Sequence, residues 1–128
     1  MAGETLPPAV RQLLSRYIAS VEQLEILLLL RGQPDRAWTC DQVYEVIRSS
    51  QASVAQRLQK FTADGFLREE PGPPRMFRYA PKDGDLAAAL DETATVYQTW
   101  RLRVIEAIFA PAPDPVQTFA DAFKLRKD

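Results

Sequence analysis

The sequence predicts a mainly α-helical fold with a small β-hairpin, an α+β arrangement, on three observations. Val54, Leu58 and Phe61 repeat at helical spacing, and the repeat stops at Gly65. Two stretches, "FLREE" and "MFRYA", then alternate around "PGPPR", a loop of hairpin length. Upstream, serine and threonine stand where successive helices would need an N-terminal cap.

After "LPP", Ala9 to Ala19 suit a helix with Val10, Leu13, Leu14, Tyr17 and Ile18 on one face. Ser20 is positioned to cap the next helix, Val21 to Leu30, with Gln23 three residues on to close a capping box. That helix is apolar on most sides, which predicts a central, buried element. "RGQPDR" ends it, and "AWT" reads as a short extended piece. Thr39 caps a helix from Cys40 to Arg48 in the pattern T-x-x-Q, where Gln42 reaches back to the cap. Val43, Val46 and Ile47 are its expected inner face. "RSSQ" makes a turn, and Ser49 or Ser50 caps the helix that carries Val54, Leu58 and Phe61. Gly65 ends this helix, as a glycine just past a helix terminus does. Phe77 and Tyr79 share one face of the second strand and are expected on the core.

At 128 residues the chain fits one domain, or one domain with an appendage. No apolar run approaches the ~20 residues of a membrane span. "MAGETLPPAV" has no basic start followed by an apolar stretch, so a signal peptide is not expected and the chain reads as cytoplasmic. There is no histidine and a single cysteine, Cys40, which leaves neither a zinc set nor a Cys–His pair. The glycines are scattered, with no phosphate-binding loop among them. No enzyme activity, metal or cofactor is therefore expected, and a binding protein is. The net charge of −1 is unevenly spread: seven basic and five acidic residues lie between Thr39 and Lys82, then four acidic and no basic ones between Asp83 and Trp100.

From Val21 to Pro81 the order helix, short strand, helix, turn, helix, hairpin resembles the winged helix-turn-helix superfamily. The most specific part is V-x-x-x-L-x-x-F-x-x-x-G-F-L, Val54 to Leu67, which resembles the recognition helix and first wing strand of MarR-type regulators. The resemblance implies that a helix of about residues 50–64 enters the major groove of double-stranded DNA. A wing, residues 66–80, would then meet the backbone or minor groove. Removing the buried stripe from that helix leaves Gln51, Ser53, Gln56, Arg57 and Lys60 outside. Glutamine pairs bidentately with adenine and arginine with guanine, while serine is permissive. Lys60, Arg75 at the wing tip and Arg78 in the second strand suit phosphates. Asp64, Glu69 and Glu70 stand beside this surface and would repel phosphates unless they point away. Cys40, in the first turn of its helix, reads as a small buried apolar residue, with redox sensing as the alternative. Trp38, Tyr97 and Trp100 read as packing residues before an effector pocket.

From Asp83 to Phe109 the sequence predicts one long helix. Leu86, Leu90, Thr93, Tyr97, Trp100 and Val104 recur at steps of four and three, a heptad seam that Ile105, Ile108 and Phe109 thicken. Leu86, Leu90, Tyr97, Trp100, Val104 and Ile108 are the expected dimer interface, because winged-helix regulators often dimerise through terminal helices. Asp83, Asp85, Asp91 and Glu92 precede Arg101 and Arg103, an order that suits an antiparallel homodimer. "APAPDP" then breaks the helix before a short amphipathic tail in which Phe119 and Phe123 dock on the homodimer or on another protein. The chain thus divides into a winged domain with its N-terminal helix (1–82), a dimerisation helix (83–110) and a proline-rich linker with tail (111–128). Two functions compete. The first is a dimeric DNA-binding transcriptional regulator; the alternative is a winged-helix interaction module that does not bind DNA.

Overall fold

The computed structural model describes residues 6–110. The tail residues Phe119 and Phe123 lie outside the described residues. The elements run α1 (Pro8–Tyr17), α2 (Val21–Gly32), β1 (Trp38–Thr39), α3 (Cys40–Ile47), α4 (Gln51–Asp64), β2 (Leu67–Glu70), β3 (Met76–Tyr79), α5 (Gly84–Thr99) and α6 (Arg101–Phe109).

The caps account for most of these boundaries. Ser20 Oγ accepts the Gln23 N–H at 3.2 Å, while the Gln23 side chain takes the N–H of Ala19 rather than that of Ser20. The box is therefore shifted by one residue, and the buried Gln23 amide oxygen is satisfied. Thr39 and Gln42 form the full reciprocal box that opens α3. Ser50, of the two serines available, caps α4 by accepting the Ser53 N–H. At the other end of α4, Gly65 has φ +97°. The Gly65 N–H bonds the Thr62 carbonyl and the Phe66 N–H bonds the Phe61 carbonyl, the paired bonds of a Schellman motif. Phe61 and Phe66 meet edge to face, centroids 5.8 Å apart, and supply its apolar contact.

A side chain at position 65 would both strain this left-handed residue and run into the Lys82 side chain. Gly65→Ala is expected to cost about 1–2 kcal/mol, most of it from φ because the lysine can move aside. A thermal melt within experimental error of the parent would contradict that assignment.

The sheet has the order β1-β3-β2, both pairs antiparallel. Trp38 faces Phe77 across one pair and Glu69 faces Phe77 across the other. The predicted "AWT" strand is thus the third strand behind the hairpin. Phe77 is buried as expected, and Tyr79 is half-buried against the same core. α2 is the central helix, with Leu24, Ile26, Leu27 and Leu30 fully buried. Val54, Leu58 and Phe61 of α4 are likewise fully buried. In α3 the inner face is Val43 with Tyr44 and Ile47, whereas Val46 is 56% exposed. A helix this short packs on α4 along the single row Val43–Ile47, and Val46 falls on its far flank.

The single long helix expected from Asp83 to Phe109 is two helices that meet at Trp100, whose φ −126° and ψ 54° are not helical. Three threonines precede the break. Thr93, Thr95 and Thr99 each turn their hydroxyl back onto the carbonyl four residues earlier, a bond that bends helices. The heptad seam packs inward. Leu86, Leu90, Thr93, Tyr97 and Val104 are buried within the one chain, on a layer where α1 packs against both α5 and α6. They offer no surface to a second copy as placed. The charge order expected to match an antiparallel partner is partly spent inside the chain too: Asp91 pairs with Arg31 at 2.9 Å and Arg101 with Glu25 at 3.1 Å.

Candidate nucleic-acid interface

Burying the Val54, Leu58, Phe61 stripe turns the rest of α4 outward in two unlike strips. One carries Gln51, Gln56 and Gln59, all exposed, with Ala52 exposed among them. This strip is short-sided, uncharged and amide-rich. Gln59 was not expected here, although its i+3 spacing from Gln56 is the signal that identifies it. Gln51 also donates to Asp41 of α3 at 3.2 Å, which orients its amide at the start of the helix.

The second strip, Ser53, Arg57 and Lys60, leans toward α1 and α2 and is engaged there. Glu22, in the first turn of α2, accepts from Ser53 Oγ at 2.8 Å and from Arg57 Nε at 3.1 Å. Its other oxygen accepts from Ser49 in the turn before α4. Burial alone would raise the Glu22 pKa. The bonds from Ser49, Ser53 and Arg57, with the arginine's charge, outweigh that and hold it below the usual carboxylate range. Lys60 bonds the Tyr17 carbonyl at 2.8 Å and the Asp64 carboxylate at 2.7 Å.

The wing repeats the pattern. Arg75 grips Glu69 through both its Nε and a terminal nitrogen. Arg78 bonds Glu70 at 2.8 Å and also donates to the Asp35 carbonyl. The hydrogen bond and charge of each arginine lower the pKa of its partner carboxylate, so Glu69 and Glu70 stay ionised against them. Every cation expected to meet phosphate thus already has a carboxylate partner. The Lys60–Asp64 pair is an i,i+4 pair within α4 that spacing reveals, whereas Arg78–Glu70 joins two strands and Arg57–Glu22 two helices, which it does not. Arg48 and Arg36 have no ion pair among the described residues. Arg48 occupies the left-handed turn before α4, its guanidinium 5.7 Å from the Tyr44 ring. Arg36 lies over Trp38 at 3.6 Å.

Helix and wing border a common cleft of about 230 Å3, lined by Thr39, Cys40, Asp41, Ala55, Gln59, Pro74, Arg75 and Phe77. Cys40 is half-buried, and its thiol donates to the Gln51 carbonyl at 3.6 Å. Burial, with the charge of Asp41, raises its pKa, so the helix dipole does not activate it. Trp38 is buried in the core, Tyr97 is buried and bonds Glu25, and Trp100 is 39% exposed at the helix break; none of the three lines the cleft between helix and wing. No group of three or more His, Cys, Asp or Glu side chains able to hold a metal occurs among the described residues. No described helix is long and apolar enough to cross a membrane.

No protein-family model matches this chain, and no curated protein matches it. Solved structures do. The crystal structure of the Mycobacterium tuberculosis transcriptional regulator MosR superimposes with a TM-score of 0.55 at 16% identity, over 96% of this chain and 87% of that one. A cysteine-to-serine mutant of MarR from E. coli superimposes with a TM-score of 0.51 at 17% identity, over 90% of this chain and 85% of that one. The fold is the winged helix-turn-helix that these two structures share.

Proposed function

We propose that this chain is a dimeric DNA-binding transcriptional regulator, with α4 in the major groove and the wing on the backbone or minor groove. The observation that carries the reading is the glutamine ridge. Gln51, Gln56 and Gln59 stand exposed along a helix whose opposite face is locked into the core, and the wing borders the same cleft. A primary amide offers one acceptor and two donors, the set that matches the N6 and N7 edge of adenine. Ser53 and Arg57 flank the ridge but are held by Glu22, with Lys60, Arg75, Arg78 and Arg48 near the phosphates. Residues 6–82 form the reading unit in this account, and 83–110 the pairing unit. The likeness to MosR, itself a transcriptional regulator, supports the reading.

Pairing of two copies would not use the buried seam. Leu102 and Phe109 of α6 are 66% and 67% exposed and, seven residues apart, share one side of the helix. With half-buried Ile105 and Ile108 they make an apolar face that a second copy would cover. The chain is expected to sediment as a dimer at micromolar concentration, and Leu102→Asp with Phe109→Asp as a folded monomer. A parent chain that sediments as a monomer would remove the dimer from the account.

One observation favours the alternative, a winged-helix module that holds a protein instead of DNA. Arg57, Lys60, Arg75 and Arg78 are all neutralised by carboxylates of the same chain. Titration with a mixed-sequence duplex over a range of salt separates the two. A DNA reader loses affinity linearly in log salt as counterions are released. A protein-binding module shows no association with the duplex even at low salt.

A further inference from the structure

We infer that Glu22 determines specificity: by neutralising Arg57, it withholds sequence-independent phosphate attraction from the recognition helix and leaves the glutamine ridge to dominate. The inference rests on the DNA-binding reading above and deepens it.

The geometry is a built hub, not a chance surface pair. Three donors from the turn and the first two turns of α4, Ser49 Oγ, Ser53 Oγ and Arg57 Nε, converge on the two oxygens of one carboxylate. The Glu22 and Arg57 side chains are only 18% and 28% exposed, so solvent screens this pair less than an ordinary surface one. No other charge competes for either partner among the described residues. Glu25 is taken by Tyr97 and Arg101, Arg31 by Asp91, and Lys60 by Asp64. Arg57 binds through Nε, and its terminal nitrogens make no hydrogen bond among the described residues. A phosphate that approached them would meet an arginine whose charge the Glu22 carboxylate already balances, instead of a lone cation. Sequence-independent affinity scales with the number of phosphates that cations neutralise. A helix that suppresses this term and keeps its uncharged amides gains in the ratio of specific to non-specific binding.

The test uses the full chain and a fluorescent mixed-sequence DNA duplex, titrated at several salt concentrations. Glu22→Gln keeps the shape and the serine bonds but removes the charge. It is expected to bind the duplex more tightly than the parent, with a log–log salt slope steeper by about 0.9, the increment for one freed cation. Adding Arg57→Gln to that variant should return the slope to the parent value. A structural role alone would weaken binding through misfolding and could not steepen the slope. If the parent binds the duplex and folded Glu22→Gln binds it with the same slope, the inference fails and the DNA-binding reading stands. If neither binds at the lowest salt, the DNA-binding reading itself falls and the inference falls with it. Should Glu22→Gln not fold, Arg57→Gln in the parent decides. An unchanged slope supports a neutralised Arg57, and a slope shallower by about 0.9 overturns it.

Discussion

Replacing Phe61 with alanine is expected to cost about 3–5 kcal/mol of folding stability, the range for emptying a buried aromatic site. Phe61 is fully buried on α4, and three structural features meet at it. Its ring packs edge to face with Phe66, its carbonyl accepts the bond that closes the helix at Gly65, and the Lys60 ammonium lies 4.9 Å from its centroid. The cavity would open where helix, wing and α1 converge, since Phe66 also packs edge to face on Tyr17. A close-packed junction relaxes only partially around a lost ring, so part of the cavity persists. In urea the transition midpoint should fall sharply while the slope stays constant. Val46→Ala, on the exposed flank of α3, should by contrast shift stability by no more than about 0.5 kcal/mol. Equal losses from the two substitutions would mean that the core is not organised around α4.

Replacing Gln56 with alanine is expected to leave the fold intact and to cost about 1–3 kcal/mol in binding to the preferred DNA sequence, the value of one bidentate base contact. Gln56 is exposed, its side chain makes no hydrogen bond among the described residues, and it sits mid-ridge between Gln51 and Gln59. Its loss should relax the preference at one base pair and leave affinity for unrelated sequences unchanged. Lys60→Ala should do the reverse, weakening all duplexes alike, and only slightly because Asp64 already pairs with Lys60. Binding titrations of the preferred duplex and its single-base variants measure both. Unaltered affinity and base preference in Gln56→Ala would take the ridge out of the interface.

Much of the fold was legible because its determinants are local. The stripe of Val54, Leu58 and Phe61, the Thr39–Gln42 box and the glycine at 65 each act within a few residues, and all three stand as the spacing predicts. The errors arose where a pattern has two readings. A seam of threes and fours can face a partner or the chain's own core, and α1 takes the seam of α5 and α6 for itself. Helical periodicity also conceals the break at Trp100, since the apolar spacing continues from α5 into α6 across a single non-helical residue. The candidate site was harder to read. Its residue types were visible, but the partner of Arg57 lies 35 residues upstream on another helix, and no local rule connects them. Which cations are free and which are already matched is a property of the packed molecule.

The central claim is that α4 presents its glutamine ridge to the edges of DNA bases. Selection of bound duplexes from a random-sequence pool by the full chain, repeated with Gln51→Ala and Gln56→Ala combined, tests it most directly. The account predicts one recurrent motif of two related halves for the parent, and a motif altered at the bases that the ridge reads for the double variant. An unenriched pool, or the same motif recovered by both proteins, would contradict it.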